Sequence, residues 1–296
     1  MIKVVFIAGI LWAVSLYADR VTLTPNKDNT LYESSDGTLS NGGGFYLFSG
    51  TTAGNSKRRA LLHFDLSSIP TGSTLNSVSL VLQMDKTISG GTPVGVYRLL
   101  SDWGEANSVG ARGEGSGGSA QTGDATWLHT FFPTTTWTSA GGDFISSASD
   151  SQTIDGNGTY TWASEQLKAD VQVWIDSTAS NSGWILIGDE TKTPTSKRFI
   201  SRDDNDPNRH PQLLVDYTAP ASNPSDPDFG DPDPTFVGDF NGDNQIDFDD
   251  FFAFADHFGL TSAEANWDAA YDFDADGDVD FDDFFIFADH FGKKLN

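Results

Sequence analysis

Two stretches of the chain place oxygen-bearing side chains at the spacing that a hard cation needs. Residues 239–259 read DFNGDNQIDFDDFFAFADHFG and residues 272–292 read DFDADGDVDFDDFFIFADHFG; they lie 33 residues apart and agree at 15 of 21 positions. Counted from the first aspartate, positions 1, 3, 5 and 12 are Asp239, Asn241, Asp243 and Asp250 in one copy. In the other they are Asp272, Asp274, Asp276 and Asp283. Position 7, Gln245 or Asp278, offers a backbone carbonyl, and position 9, Asp247 or Asp280, can act through a water. A calcium ion takes about 6–8 oxygens and a twelve-residue turn gathers them, whereas magnesium keeps its own waters. Two Ca²⁺ ions are therefore expected. Position 6 must turn sharply, which Gly277 does freely and Asn244 nearly so. Position 8, Ile246 or Val279, is expected to join the two loops as a short strand.

Each loop leads into an apolar periodic run, and this sets it apart from a solvated acidic tail, which lacks aromatics. Phe251, Phe254, Ala255 and Phe258 recur at i, i+3, i+4 and i+7, as do Phe284, Phe287, Ala288 and Phe291. The spacing predicts helices over 249–258 and 282–291, with Gly259 and Gly292 just past their ends. His257 and His290 fall near those ends, where the helix dipole favours a cation, and read as caps or surface residues. The loops also explain the charge. The chain of 296 residues has a formal net charge of -25. After residue 221 there are 20 acids and two lysines, while the 221 residues before hold 22 acids and 15 bases. This balance excludes nucleic acid, whose binding needs Lys and Arg to displace counterions. It also disfavours anionic membrane surfaces. With no cysteine, disulfides, thiolate metal sites and a Cys nucleophile are excluded.

The remaining chain divides by composition. Residues 1–18 read as a secretory signal peptide, with Lys3 before an apolar run too short to span a bilayer. The expected location is therefore extracellular or at the cell surface, with no membrane span after cleavage. From 19 to 217, short β-like runs alternate with Gly/Ser/Asn clusters. Candidate strands are 21–24, 45–48, 60–64, 78–82, 94–99, 127–131, 159–162, 184–187, 198–201 and 213–217. Such punctuation predicts a mainly β domain, an antiparallel β-sandwich or jelly roll. One helix is expected over 165–175, with Leu167, Val171, Trp174 and Ile175 on one stripe and Ser164 as N-cap. Residues 218–236 hold five of the twelve prolines among aspartates, an extended linker. A small all-α module over 237–296 closes the chain.

Two resemblances follow from these residues. The paired loop–helix units resemble a dockerin, an EF-hand-like duplicated calcium module that docks onto cohesins and closes its loop with Asp at position 12, as Asp250 and Asp283 do. The likeness implies docking through loop positions 10 and 11, Phe248 and Asp249 or Phe281 and Asp282, identical in both copies and so usable in two orientations. Here the helices carry Phe, Asp and His where dockerins usually carry Lys, Arg and Leu. Residues 28–32, 40–47, 59–65, 98–105, 123–127 and 197–199 resemble the DNRLRE domain, across nearly all of 21–217. That family implies a secreted jelly roll similar to carbohydrate-binding modules, some of which bind acidic polysaccharides.

Flat aromatic faces suit sugar rings, and Arg or Lys suits uronate carboxylates. Trp103 and Trp137, in loop-like contexts, together with Arg98, Lys197, Arg198 and Arg202, are the glycan-binding candidates; Lys57, Arg58, Arg59, Arg112 and Arg209 are further basic candidates. Trp127, Trp162, Trp174 and Trp184 sit inside apolar runs and are expected in the core. No phosphate loop, nucleophile elbow or H-E-x-x-H motif occurs, so the chain is expected not to be an enzyme, and a polysaccharide-degrading activity is the weakest reading. Two stronger readings remain. One is a secreted module that binds extracellular polysaccharide or matrix and docks, through calcium, to a cohesin-like partner or to itself. The other is a structural subunit of a filament, sheath or matrix, a homo-oligomer assembled through calcium-dependent contacts.

Overall fold

The computed structural model describes residues 18–220, 238–243, 245–264, 266–274 and 276–294. The expected leader, apart from Ala18, and the linker beyond Pro220 lie outside these residues, as does Asn244. The chain divides into two units, 1–220 and 221–296.

The first unit is mainly β. Its strands are β1 (Ala18–Leu23), β2 (Lys27–Tyr32), β3 (Leu39–Ser40), β4 (Tyr46–Thr51), β5 (Lys57–His63), β6 (Thr74–Thr87), β7 (Thr92–Arg98), β8 (Gly118–Ser119), β9 (His129–Phe131), β10 (Thr135–Thr136), β11 (Asp150–Ile154), β12 (Gly158–Trp162), β13 (Trp184–Gly188), β14 (Lys197–Ile200) and β15 (Gln212–Thr218). Eleven of them form one antiparallel, curled sheet in the order β1-β15-β6-β14-β4-β5-β13-β7-β11, with β12 added to β6 and β2 to β5. The long strand β6 organises it. Leu80 pairs with Trp162 on one edge and Leu213 on the other, and Met84 pairs with Gly158 and Phe199 in the same way. Thus β12 runs along one edge and β15, then β14, along the other. The β1–β15 ladder joins Ala18 to Thr218. It therefore reaches one residue past each boundary expected from composition, because backbone pairing does not depend on the side-chain pattern.

Curling brings both halves of the sheet onto one core. Leu80, Leu82, Leu213 and Val215 pack in the same cluster as Ala60, Leu62, Val94, Val96, Trp184 and Leu186. The helix α1 (Glu165–Asp176) closes this core with Leu167, Val171, Trp174 and Ile175, and Ser164 caps it by accepting from the Leu167 N–H. Strands β5 and β13 are buried on both faces. Their alternate residues, Leu61 and Ile185, join a second cluster with Leu31, Trp103, Trp127 and Trp137. That explains their continuous apolar runs, since a strand covered on both sides needs no polar alternation. The long segment between β7 and β11 supplies the cover.

In the second unit, α2 (Phe248–Ala255) and α3 (Phe281–His290) follow the two loops, close to the predicted spans. Gly259 and Gly292 adopt φ of 84° and 85°, the left-handed conformation that ends a helix. The core is aromatic: Ile246, Phe254, Val279 and Phe287 are buried, with Phe240, Phe251, Tyr271, Phe273 and Phe284 around them. Phe254 and Phe287 stack at 5.4 Å, and Phe240 stacks on Tyr271 at 4.3 Å. Among the described residues no helix is long and apolar enough to cross a membrane.

Candidate functional site

The two loops are built alike, from short-range hydrogen bonds that their aspartates accept. In the first, Asp239 accepts from the Gly242 N–H at 2.7 Å, Asn241 from the Asp243 N–H at 2.8 Å, and Asp243 from the Gln245 N–H at 2.9 Å. In the second, Asp272 accepts from Gly277, Asp274 from Asp276 and Asp276 from Asp278, at 3.0–3.2 Å. Position 12 is buried in both. One oxygen of Asp250 accepts from Phe240 N–H at 2.8 Å and the other from Asp247 N–H at 2.9 Å; Asp283 does the same with Phe273 and Asp280. Position 9 has a role beyond any bound water: Asp247 and Asp280 are the helix N-caps, reciprocal with Asp250 and Asp283 in capping boxes.

One carboxylate oxygen from each of Asp272, Asp274 and Asp276 lies within 4.8 Å of the others. Oδ1 of Asp272 is buried without a hydrogen-bond partner. Burial, and then the neighbouring carboxylates, push Asp274 and Asp278 above the ordinary aspartate range. This donor set, oxygen throughout and with a lone pair left over, fits a calcium ion. Asn241 brings no charge to the first loop, which leaves the second the more acidic of the two.

Ile246 and Val279 do not pair with each other, as sequence suggested. Each pairs with the segment that leaves the other unit's helix. The Gly259 N–H donates to the Val279 carbonyl at 2.6 Å, and the Gly292 N–H donates to the Ile246 carbonyl at 2.8 Å. The physical reason is that both side chains are buried in the shared core, where a helix exit brings a free backbone edge alongside. The exchange is reciprocal down to the rings: Phe248 meets Phe291 at 5.2 Å and Phe281 meets Phe258 at 5.1 Å, both edge-on at 73°. The position-10 residues nonetheless stay 66% and 64% exposed, and Asp249 and Asp282 beside them are exposed. Phe252 and Phe285, one turn on, extend this apolar surface. His257 and His290 each hold the ring Nδ1 2.9 Å from the carbonyl four residues earlier.

No protein-family model matches the chain, and no curated protein does. The chemistry of both units is therefore argued from their own residues.

The glycan candidates need revision. Trp103 is 0% exposed and Trp137 is 4% exposed, so neither ring has a free face for a sugar. Glycine and acids around Trp103 read as a surface turn, but the ring is sealed in the second cluster, with Nε1 donating to the Ser182 carbonyl at 2.9 Å. Trp137 Nε1 likewise donates to Thr126. Lys197 is fully buried, its ammonium donating to Thr87, Ser89 and Gly90, and burial lowers its pKa. Arg98 stands 4.0 Å from buried Asp170, and Arg202 forks onto Glu105 at 2.9 and 3.2 Å. Arg198 lines a cleft. It lies 3.6 Å over the Tyr46 ring and is clamped by both oxygens of Asp85. The cleft, about 270 Å³, is also lined by Phe48, Ile88, Arg112 and Lys86. Lys86 and Arg112 are exposed and make no ion pair among the described residues. Lys86 lies on β6 beyond the 78–82 alternation that marked the strand, because the observed strand runs on to Thr87.

Proposed function

We propose that the chain is a secreted, non-catalytic binding protein: a β-sandwich of jelly-roll type that engages acidic extracellular polysaccharide, joined to a dockerin-like module that folds and docks with two Ca²⁺ ions. The observation that carries the reading is the reciprocal pair of loops: three carboxylates converge in the second, and position 8 of each loop is bonded to the segment that leaves the other copy's helix. Two copies that fasten each other form a closed unit with no open end for a third repeat, which suits docking better than a solenoid. The exposed pairs Phe248 with Phe252 and Phe281 with Phe285 support docking through either copy. On the first unit, two unpaired cations beside an aromatic floor support an anionic glycan.

The filament reading keeps one argument. A symmetric docking face can meet the same face of another copy, so self-assembly through calcium is the second reading. A pull-down with an acidic uronate polymer and a neutral glucan, each in calcium and in chelator, tests the first. Retention on the acidic polymer is expected, and Lys86→Ala with Arg112→Ala should reduce it by about tenfold or more, the scale of charge-assisted contacts. Equal retention on both polymers, or none on either, would sink polysaccharide recognition. Growth of light scattering with calcium, abolished by Phe248→Ala plus Phe281→Ala, would favour the filament.

A further inference from the structure

A third acidic cluster lies in the first unit, far from the loops in sequence. Asp28 is on β2, Glu105 follows β7 in the covering segment, and Asp203 follows β14. A carboxylate oxygen from each lies within 4.8 Å of the other two. Asp28 is 0% exposed. Its Oδ2 accepts from the Arg202 N–H at 2.8 Å, while its Oδ1 has no partner at all. Oδ2 of Asp203 is equally buried and equally unpartnered. Nearby basic residues do not balance the three acids. Among the described residues Arg202 is the one guanidinium paired with these acids, and its side chain is spent on Glu105. Lys27 is committed to Asp102 and to the Trp103 carbonyl, both at 2.6 Å. His210 turns Nε2 to the Asp204 carbonyl at 2.7 Å.

Two unsatisfied buried carboxylate oxygens facing a third acid are costly in isolation, since a buried polar atom keeps its desolvation penalty when it makes no bond. The surroundings are rigid. The Asp28 N–H donates to Glu105 Oε1 at 3.1 Å, the Gly104 N–H to the Thr130 carbonyl at 2.9 Å, and the Ala125 N–H to the Gly104 carbonyl at 2.7 Å. A Cβ on Gly104 would stand 1.9 Å from the Gly123 carbonyl oxygen, so the strap that carries Glu105 is fitted closely at that point. Burial raises all three acids, Glu105 to about 7, which shows how poorly the protein alone compensates their charge.

We infer that Asp28, Glu105 and Asp203 form a calcium site that ties β2, the covering segment and the β14–β15 connection together. The donors are all carboxylate oxygens, the hard ligands that calcium takes, with neither imidazole nor thiolate to favour zinc or copper. Three carboxylates and one guanidinium leave two negative charges, which one divalent ion neutralises. Glu105 and Asp203 are partly exposed and give the ion an entrance, while Asp28 forms the floor. The site is independent of the C-terminal loops.

Calorimetric titration of the full chain with CaCl₂ tests this, using a variant whose C-terminal loops are disabled by Asp239→Ala, Asp243→Ala, Asp272→Ala and Asp276→Ala. One chelator-reversible ion per chain should remain. Adding Asp203→Asn should weaken it by more than about tenfold, the loss that an outer-shell partner alone can cause, with the strand signal in circular dichroism unchanged. If that signal changes, Glu105→Gln, which keeps the shape, takes its place. A disabled-loop chain with intact strands and no calcium uptake would overturn the site. So would uptake that neither Asp203→Asn nor Glu105→Gln weakens. Should wild type and the disabled-loop chain bind the same number of ions, it is the C-terminal reading that fails and not this one.

Discussion

The two units hold themselves together by different means. The first buries two apolar clusters on opposite faces of a curled sheet; Trp103, Trp137, Trp162 and Trp184 pack there with their ring N–H groups bonded, while Trp174 Nε1 is buried without a partner. The second has four buried core residues and surrounds them with rings that stay partly wet. Its acids are gathered in loops, where like charges oppose folding. Small units of this size bury too little to fold on apolar area alone, and metals commonly make up the difference. The contrast implies that hydrophobic burial carries most of the first unit's stability, while the second, on the proposed calcium reading, folds in proportion to its cation.

The largest expected effect is therefore selective melting. Chelator should abolish the helical circular-dichroism signal of the second unit and leave the first unit's strand signal in place. Each site saturated at a hundredfold excess over Kd contributes about 2.7 kcal/mol, so two sites decide whether a unit this small is folded. Equal helicity with and without chelator would remove the distinction between the units.

The converse break falls on the first unit. Trp184 is fully buried, meets Trp174 at 4.6 Å, and donates through Nε1 to Asp170 at 3.0 Å. Trp184→Ala removes a large core side chain and one partner of a buried carboxylate, at a cost of about 3–5 kcal/mol. Asp170 keeps its bond from the Ser149 hydroxyl, which limits the damage. Thermal melting should show the strand transition lowered and the calcium-dependent helical one unmoved. Coupled loss of both transitions would mean that the two units fold as one.

What sequence could and could not foresee follows the same division. The two acidic loops are local: twelve consecutive residues carry the whole candidate donor set, so spacing alone points to them, and the helices behind them form close to the spans their period predicts. The apolar strands were equally readable, because burial imprints a period on the residues. Strand β2 is absent from the candidate strands, since Lys27, Asp28, Asn29 and Thr30 show no apolar alternation. Asn29 and Thr30 are buried and satisfied across the fold: Asn29 Oδ1 accepts from Thr30, Ser40 and Asn41, and Thr30 Oγ1 from Phe48 N–H. Such partners are set by tertiary pairing and leave no local signature. Asp28 and Glu105 lie 77 residues apart, and Asp28 and Arg202 lie 174 apart, so no spacing rule could have assembled that cluster. The mistaken exposure of Trp103 has the same origin, since its neighbours Asp102 and Gly104 describe a turn only if nothing covers it.

The smallest expected effect sits at the edge of the first unit and sharpens the comparison by its sign. In the β1–β15 ladder Arg20 faces Asp216, with Nε at 2.5 Å and Nη2 at 3.0 Å, and the Ser77 hydroxyl donates to the same carboxylate at 2.6 Å. The Arg20 hydrogen bond, then that from Ser77, lowers Asp216 to about 2. Its folded pKa is thus below its unfolded value of 3.8. The contribution is complete above that unfolded value and fades as pH falls toward 2. The pair is exposed, so water and salt screen it and its net worth is small. Arg20→Ala should lower the strand transition slightly at neutral pH, less than Trp184→Ala does, and the difference from wild type should shrink as pH falls through that window. High salt should shrink it too. The helical transition of the second unit should respond to the same acid in the same direction, since on the proposed calcium reading protonating loop carboxylates removes the ion's ligands altogether. Its loss should therefore begin at higher pH than the narrowing of the Arg20→Ala difference, and simultaneous onset would show that the loop carboxylates do not set the second unit's acid limit.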